Sequence, residues 1–198
     1  MQYPKVLQDL IDSFSKYPGI GKKTAVRLAF YTLNSLNNDD IETFSNSLKE
    51  LQVKIKKCPI CGNITENDIC EICENKNRDK SLIMIVENIK DLFAFEQTNE
   101  YHGLYHVLNG VIDYSKGITI EDLNFKSLLS RIDINTNEII IATNATVEGE
   151  LTAKYIKKIL SDLNIKITRL AYGLPVGSDI EYIDQETILK SLVGRSDY

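Results

Sequence analysis

The chain has 198 residues, is 43% hydrophobic and 26% charged, and carries a formal net charge of −5. This composition excludes an intrinsically disordered or collagen-like chain. No apolar run approaches the roughly 20 residues of a membrane-spanning helix, and Met1-Gln2-Tyr3-Pro4-Lys5 lacks the apolar run of a secretion signal, so a cytoplasmic location is expected. The length allows one large domain or two small ones. Charge is unevenly spread: residues 1–57 hold nine Lys/Arg against six Asp/Glu, while the remainder holds fourteen against twenty-two. A front at +3 and a back at −8 predict a polyanion partner at the front alone.

In chain order, Val6, Leu7, Leu10, Ile11 and Phe14 recur at helical spacing, and Pro18 requires that helix to end before it. Tyr17-Pro18-Gly19-Ile20-Gly21-Lys22-Lys23-Thr24-Ala25 then reads as a tight hairpin opening a second helix. Gly19 and Gly21 leave backbone amides accessible, and a helix N-terminus beside them can hydrogen-bond phosphate oxygens. Lys22, Lys23 and Arg27 add charge that reads no bases, so sequence-independent, salt-sensitive DNA binding is expected. The competing reading is a plain helical turn with a solvated basic face. A third helix is expected over about 38–52, capped by Asn38 or Asp39, with Ile41, Phe44, Leu48 and Leu51 inward. Lys54-Ile55-Lys56-Lys57 either extends the basic surface or serves as a solvated connector.

The chain's four cysteines follow at once, as Cys58-x-x-Cys61 and Cys70-x-x-Cys73 across an eight-residue turning loop. Two such knuckles supply the four tetrahedral ligands of a structural zinc, one per chain, and leave no open position for a catalytic water. Disulfides or a redox pair fit less well in a reducing compartment.

Beyond a polar linker, Ser81–Val86 and Glu138–Thr143 read as buried strands. A helix at about 89–97, a short strand near 105–108 and a helix at about 119–132 lie between them. A helix over 147–163, a strand over 166–171, a loop over 173–179 and a helix over 184–192 complete the chain. Apolar strands alternating with amphipathic helices predict a mostly parallel sheet covered on both faces. Ligands of such sheets meet the strand carboxyl ends, where Glu87, Asn144, Thr146, Glu148 and Glu150 fall. A glutamate facing paired aspartates would hold Mg²⁺, but here the second position offers uncharged Asn144 and Thr146. Glu87, Asn144 and Glu148 are therefore expected to form a docking or structural surface. His102 and His106, four apart, lack a third ligand nearby and suit a core or hydrogen-bonding role. Leu174, Val176, Ile180, Ile188, Leu189 and Leu192 make the tail apolar enough for self-association, or for packing on its own sheet.

Pro18–Ala29, the four-cysteine knuckle, Glu100–Leu108, Ala142–Glu150 and Gly173–Tyr182 together resemble the bacterial RecR family of recombination mediators, in order and over essentially the whole chain. The resemblance implies an α+β multidomain architecture. It comprises a helix-hairpin-helix region (1–57), a C4 zinc finger (58–73), an α/β Toprim domain with a mostly parallel sheet (81–176) and a C-terminal oligomerisation tail (177–198). It further implies a homotetrameric ring able to surround DNA, and work with RecO and RecF in loading RecA at single-stranded gaps. Lys23 and Arg27 match the family's DNA-facing basic residues. The family's Toprim fold lacks the full acidic set, in agreement with Asn144 here, and no phosphate-binding loop accompanies the tail stretch sometimes compared with a Walker B motif. Thr24 stands where Ser is commoner. A Mg²⁺-dependent phosphodiester enzyme and a zinc-stapled protein-interaction module are the alternatives.

Overall fold

Two compact units divide the chain, one ending at Ile55 and the other beginning at Lys56. The structure is a computed structural model and describes residues 3–195; the first two residues of the expected N-terminal region, and 196–198 of the expected tail, lie outside them.

In the first unit, helices α1 (Lys5–Phe14), α2 (Lys22–Ser35) and α3 (Asn38–Lys54) follow one another. Ile11 of α1 packs on Ala25 and Ala29 of α2, with Leu7, Leu10, Phe14, Ile20 and Val26 around them. The two alanines are fully buried, and their small side chains let α1 and α2 approach closely. α3 is capped by Asn37, whose side chain accepts from the Asp40 amide, one residue earlier than expected. Its apolar row corrects the sequence reading. Ile41, Phe44, Leu48 and Leu51 do line one face, but no residue of α3 is buried and these four are 38–60% exposed. Periodicity fixes which residues share a face, and among the described residues of this unit no element covers that one.

The second unit starts with a two-stranded ribbon, β1 (Lys56–Lys57) against β2 (Ile64–Thr65), and a single helical turn, α4 (Glu71–Glu74). A four-stranded sheet follows: β3 (Asp79–Val86), β4 (Gly103–Val107), β5 (Glu138–Ala142) and β6 (Lys166–Arg169), in the order β4-β3-β5-β6 and parallel throughout. α5 (Ile89–Glu96), α6 (Phe125–Arg131) and α7 (Val147–Leu160) connect the strands. Alternate residues of β3 point to opposite faces, so Ile83 and Ile85 join one core with Leu128, Ile156 and Leu160, while Met84 and Val86 join another with Leu92 and Tyr105. The expected helix over 119–132 is interrupted. Thr119 and Asp122 form their capping box over one 3₁₀ turn, and α6 begins only at Phe125, because the Asn124 amide donates to Leu108 O. In the tail, α8 (Gln185–Val193) buries no residue; Leu189 and Leu192 face outward and Ile188 is half-buried.

Candidate nucleic-acid interface and zinc centre

The hairpin between α1 and α2 closes through the Ile20 amide on Tyr17 O, at 3.1 Å, with Gly19 at φ +80°. That left-handed conformation suits a residue without Cβ. Gly21 is the N-cap of α2 and offers no side chain, so the amides of Lys22, Lys23 and Thr24 keep no intrahelical acceptor. The first turn contains no acid. Gly19, Gly21, Lys22, Lys23 and Arg27 are all exposed, and neither lysine nor Arg27 has an ion-pair partner among the described residues. Lys23 and Arg27 stand four apart on one helix face. A phosphate oxygen reaching this turn meets uncapped amides, the positive end of the helix dipole and three unneutralised cations.

The four cysteines converge although they come from separate knuckles. Their sulfurs lie within 4.8 Å of one another, and Cys61 Sγ is 3.5 Å from Cys70 Sγ. A tetrahedron with Zn–S near 2.3 Å has edges of about 3.8 Å, so the donor set fits zinc. The Asn63 amide donates to Cys61 Sγ and the Cys70 amide to Cys58 Sγ, both at 3.5 Å. Hydrogen bonding to Cys70 and Cys73, together with burial, pushes the Cys61 thiol up, because the protonated form is the donor. Cys58, Cys61 and Cys70 are buried and Cys73 half-buried. They form the one metal-binding cluster among the described residues.

At the carboxyl ends of β3 and β5 the expected acidic residues take different roles. Glu87 is 6% exposed, and its carboxylate accepts from the Asn144 amide at 2.7 Å and from Asn144 Nδ2 at 2.6 Å. Both oxygens are thus engaged by one asparagine. Asn144 is itself exposed and Glu148 half-buried in the first turn of α7. Glu150 turns toward the sheet, bonded to the Tyr172 hydroxyl and, at 2.7 Å, to Arg169. Against partial burial, these two partners hold Glu150 below the usual carboxylate range. A cleft of about 340 Å³ lies beside Asn144, walled by Phe95, Ala142, Arg169 and Tyr172 among others. His102 is exposed and His106 fully buried on β4, its Nε2 2.6 Å from Asn124 O. Four residues along a strand are about 13 Å, so the two rings are not a metal pair.

An ion pair between Arg78 and Glu96, which sequence reading passed over, clamps the start of β3 to the end of α5. Arg78 Nη1 also donates to Tyr101 O and Gly103 O. Its partners lie 18 to 25 residues away in loops and ends, where no periodicity points to them.

These features define a class: a helix-hairpin-helix carrying open amides, joined to a zinc-stapled parallel α/β fold whose acidic corner is closed by an asparagine. Four family models match in the same order: the RecR helix-hairpin-helix over 7–51, the RecR four-cysteine zinc finger domain over 55–75, the Toprim domain over 81–171, and the RecR C-terminal region over 173–196. The chain is 53% identical to the recombination protein RecR of Ligilactobacillus salivarius (strain UCC118), over 100% of both chains. It is 51% identical to that of Lacticaseibacillus casei (strain BL23), again over 100% of both. Identity to that of Limosilactobacillus reuteri (strain DSM 20016) is 52%, over 100% of this chain and 99% of the relative. The chain belongs to the RecR family of recombination proteins. No helix among the described residues is long and apolar enough to cross a membrane.

Proposed function

We propose that the chain is a non-enzymatic, cytoplasmic mediator of recombinational DNA repair that binds DNA without reading its sequence and works with RecO and RecF to load RecA at single-stranded gaps. The observation that carries this reading is the uncapped start of α2 with Lys22, Lys23 and Arg27 exposed around it and without an ion-pair partner among the described residues. Gly19 and Gly21 let a phosphate approach the backbone, and Lys23 and Arg27 supply its charge. The work divides as DNA binding in 1–57, zinc stapling in 58–73, the Toprim fold in 81–176 and oligomerisation in 177–198. Asn144 and Glu148 present a protein-docking surface, with Glu87 beneath them holding Asn144 in place. The Glu87 oxygens, occupied by Asn144, support a role without Mg²⁺ chemistry. One helix-hairpin-helix makes few phosphate contacts, so the working form is a tetrameric ring, in which linked copies raise avidity by about 10² to 10⁴. The outward Leu189, Leu192 and Ile180 of the tail support self-association.

The test is DNA affinity as a function of salt. Lys23→Glu and Arg27→Glu should each weaken binding to unrelated sequences equally, and lower the slope of log affinity against log salt by about 1 per lost contact. A double variant that binds as the parent does at moderate salt refutes the assignment.

A further inference from the structure

The zinc knuckle is bonded to the sheet as well as to itself. β4 is an edge strand, paired with β3 on one side only. On its open side the Val107 amide donates to Cys61 O at 2.7 Å, so a carbonyl of a metal-ligating residue takes the place of a neighbouring strand. Gly62, at φ +78°, packs so closely there that an added Cβ would lie 2.8 Å from Val107 O and 2.6 Å from Asn124 Nδ2. Asn124 Nδ2 itself donates to Val107 O at 3.0 Å. Ile72, between Cys70 and Cys73, touches both the sulfur cluster and the core cluster of Met84, Val86, Tyr105 and Val107.

From Val107 the bonded path continues to the acidic corner. The Leu108 amide donates to Val86 O at 2.9 Å, and the Gly110 amide to Glu87 O at 3.0 Å. The Glu87 side chain in turn holds Asn144 through two bonds. We infer that the zinc knuckle fixes edge strand β4 and, through it, the Glu87–Asn144 pair, so that metal occupancy governs the order of a surface outside the zinc site. A bound ion keeps Cys61 O and Gly62 against Val107. Its loss frees the knuckle, removes the acceptor of the Val107 amide, leaving Arg78, Arg131 and Asn124 on the outer carbonyls of β4, and loosens the turn after β3 on which Glu87 sits. The inference concerns local order and does not depend on the docking role proposed above.

Hydrogen exchange followed by mass spectrometry on the full chain, zinc-loaded and chelator-stripped, tests it. Zinc removal should speed exchange about tenfold in peptides covering 103–110 and 143–149, while those covering 138–142 of interior strand β5 stay protected. Acceleration confined to 56–75 would overturn the inference, because the knuckle would then be independent of the sheet. Acceleration reaching 138–142 would overturn it equally, because the ion would then hold the unit as a whole. Gly62→Ala keeps all four cysteines and forces the knuckle away from Val107. The zinc-loaded variant, checked for metal content, should show the same faster exchange over 103–110, and parent-like exchange there would also sink the idea.

Discussion

His106 gives the second unit an acid weakness whose size follows from its surroundings. The ring is fully buried on β4, with Nε2 on Asn124 O and Nδ1 without a partner among the described residues. Burial is the main influence, the Asn124 carbonyl opposes it, and the positive charge of Arg131 adds to it, so that the imidazole is pushed down to about 4 from 6.5. The folded value lies below the unfolded one, so the native state favours the neutral ring. The stability this contributes is complete above about pH 6.5 and is lost as pH falls toward 4. Integrated over a separation of about 2.5, at about 1.4 kcal/mol per unit, the loss between pH 7.5 and 5.0 is about 2 kcal/mol. His106→Gln keeps a nitrogen donor within reach of Asn124 O and cannot titrate. Urea unfolding of parent and variant at both pH values, in excess zinc and followed by circular dichroism, isolates the difference, since metal release affects both chains alike. The parent should lose about 2 kcal/mol more than the variant over this interval. Parallel losses would refute the argument and place the acid sensitivity elsewhere.

Three further outcomes are expected. Cys70→Ser should lower zinc content below one per chain and reduce the melting temperature together with it, because part of the folding free energy is metal-binding free energy; a metal-free variant that melts like the parent contradicts this. Arg78→Met leaves the Glu96 carboxylate, only a quarter exposed, without its counter-ion, and should destabilise by about 3 kcal/mol in chemical denaturation, whereas a change below about 0.5 kcal/mol would show the clamp to be idle. The parent with Mg²⁺ or Mn²⁺ should neither nick nor relax supercoiled DNA, because Asn144 occupies both Glu87 oxygens; nicking abolished by Glu87→Gln would restore the enzyme reading.

Signals that are short in sequence were legible in it. The cysteine knuckles span sixteen residues and dictate their own convergence, and Pro18-Gly19-Ile20-Gly21 with the basic residues after it marks a tight turn between two helices. The apolar runs of β3 and β5 likewise declare buried strands, and their parallel pairing follows from the helices between them. Contacts across long separations were not legible. Glu87 and Asn144 stand 57 residues apart, and only the fold shows that the asparagine engages the acid instead of leaving a site half-built. Asn124 breaks an expected helix because strand β4 and the residue after it, far back in the chain, take its side chain and its amide. The apolar row of α3 obeys helical spacing yet lies exposed, since spacing orders residues on a face and carries no information about what lies opposite.

The two edges of the sheet are guarded by different means. β6 carries Lys166 and Arg169, charges that resist the addition of a foreign strand. All five residues of β4 are buried and it contains no Lys, Arg, Asp or Glu, but its outward groups are taken: Arg78 donates to Gly103 O, Arg131 to Tyr105 O and Asn124 to Val107 O, while Cys61 O accepts from the Val107 amide. Of these covers only the Cys61 carbonyl belongs to a zinc ligand, so the edge borrows its defence against strand addition from two arginines and an asparagine outside the strand as well as from the metal site.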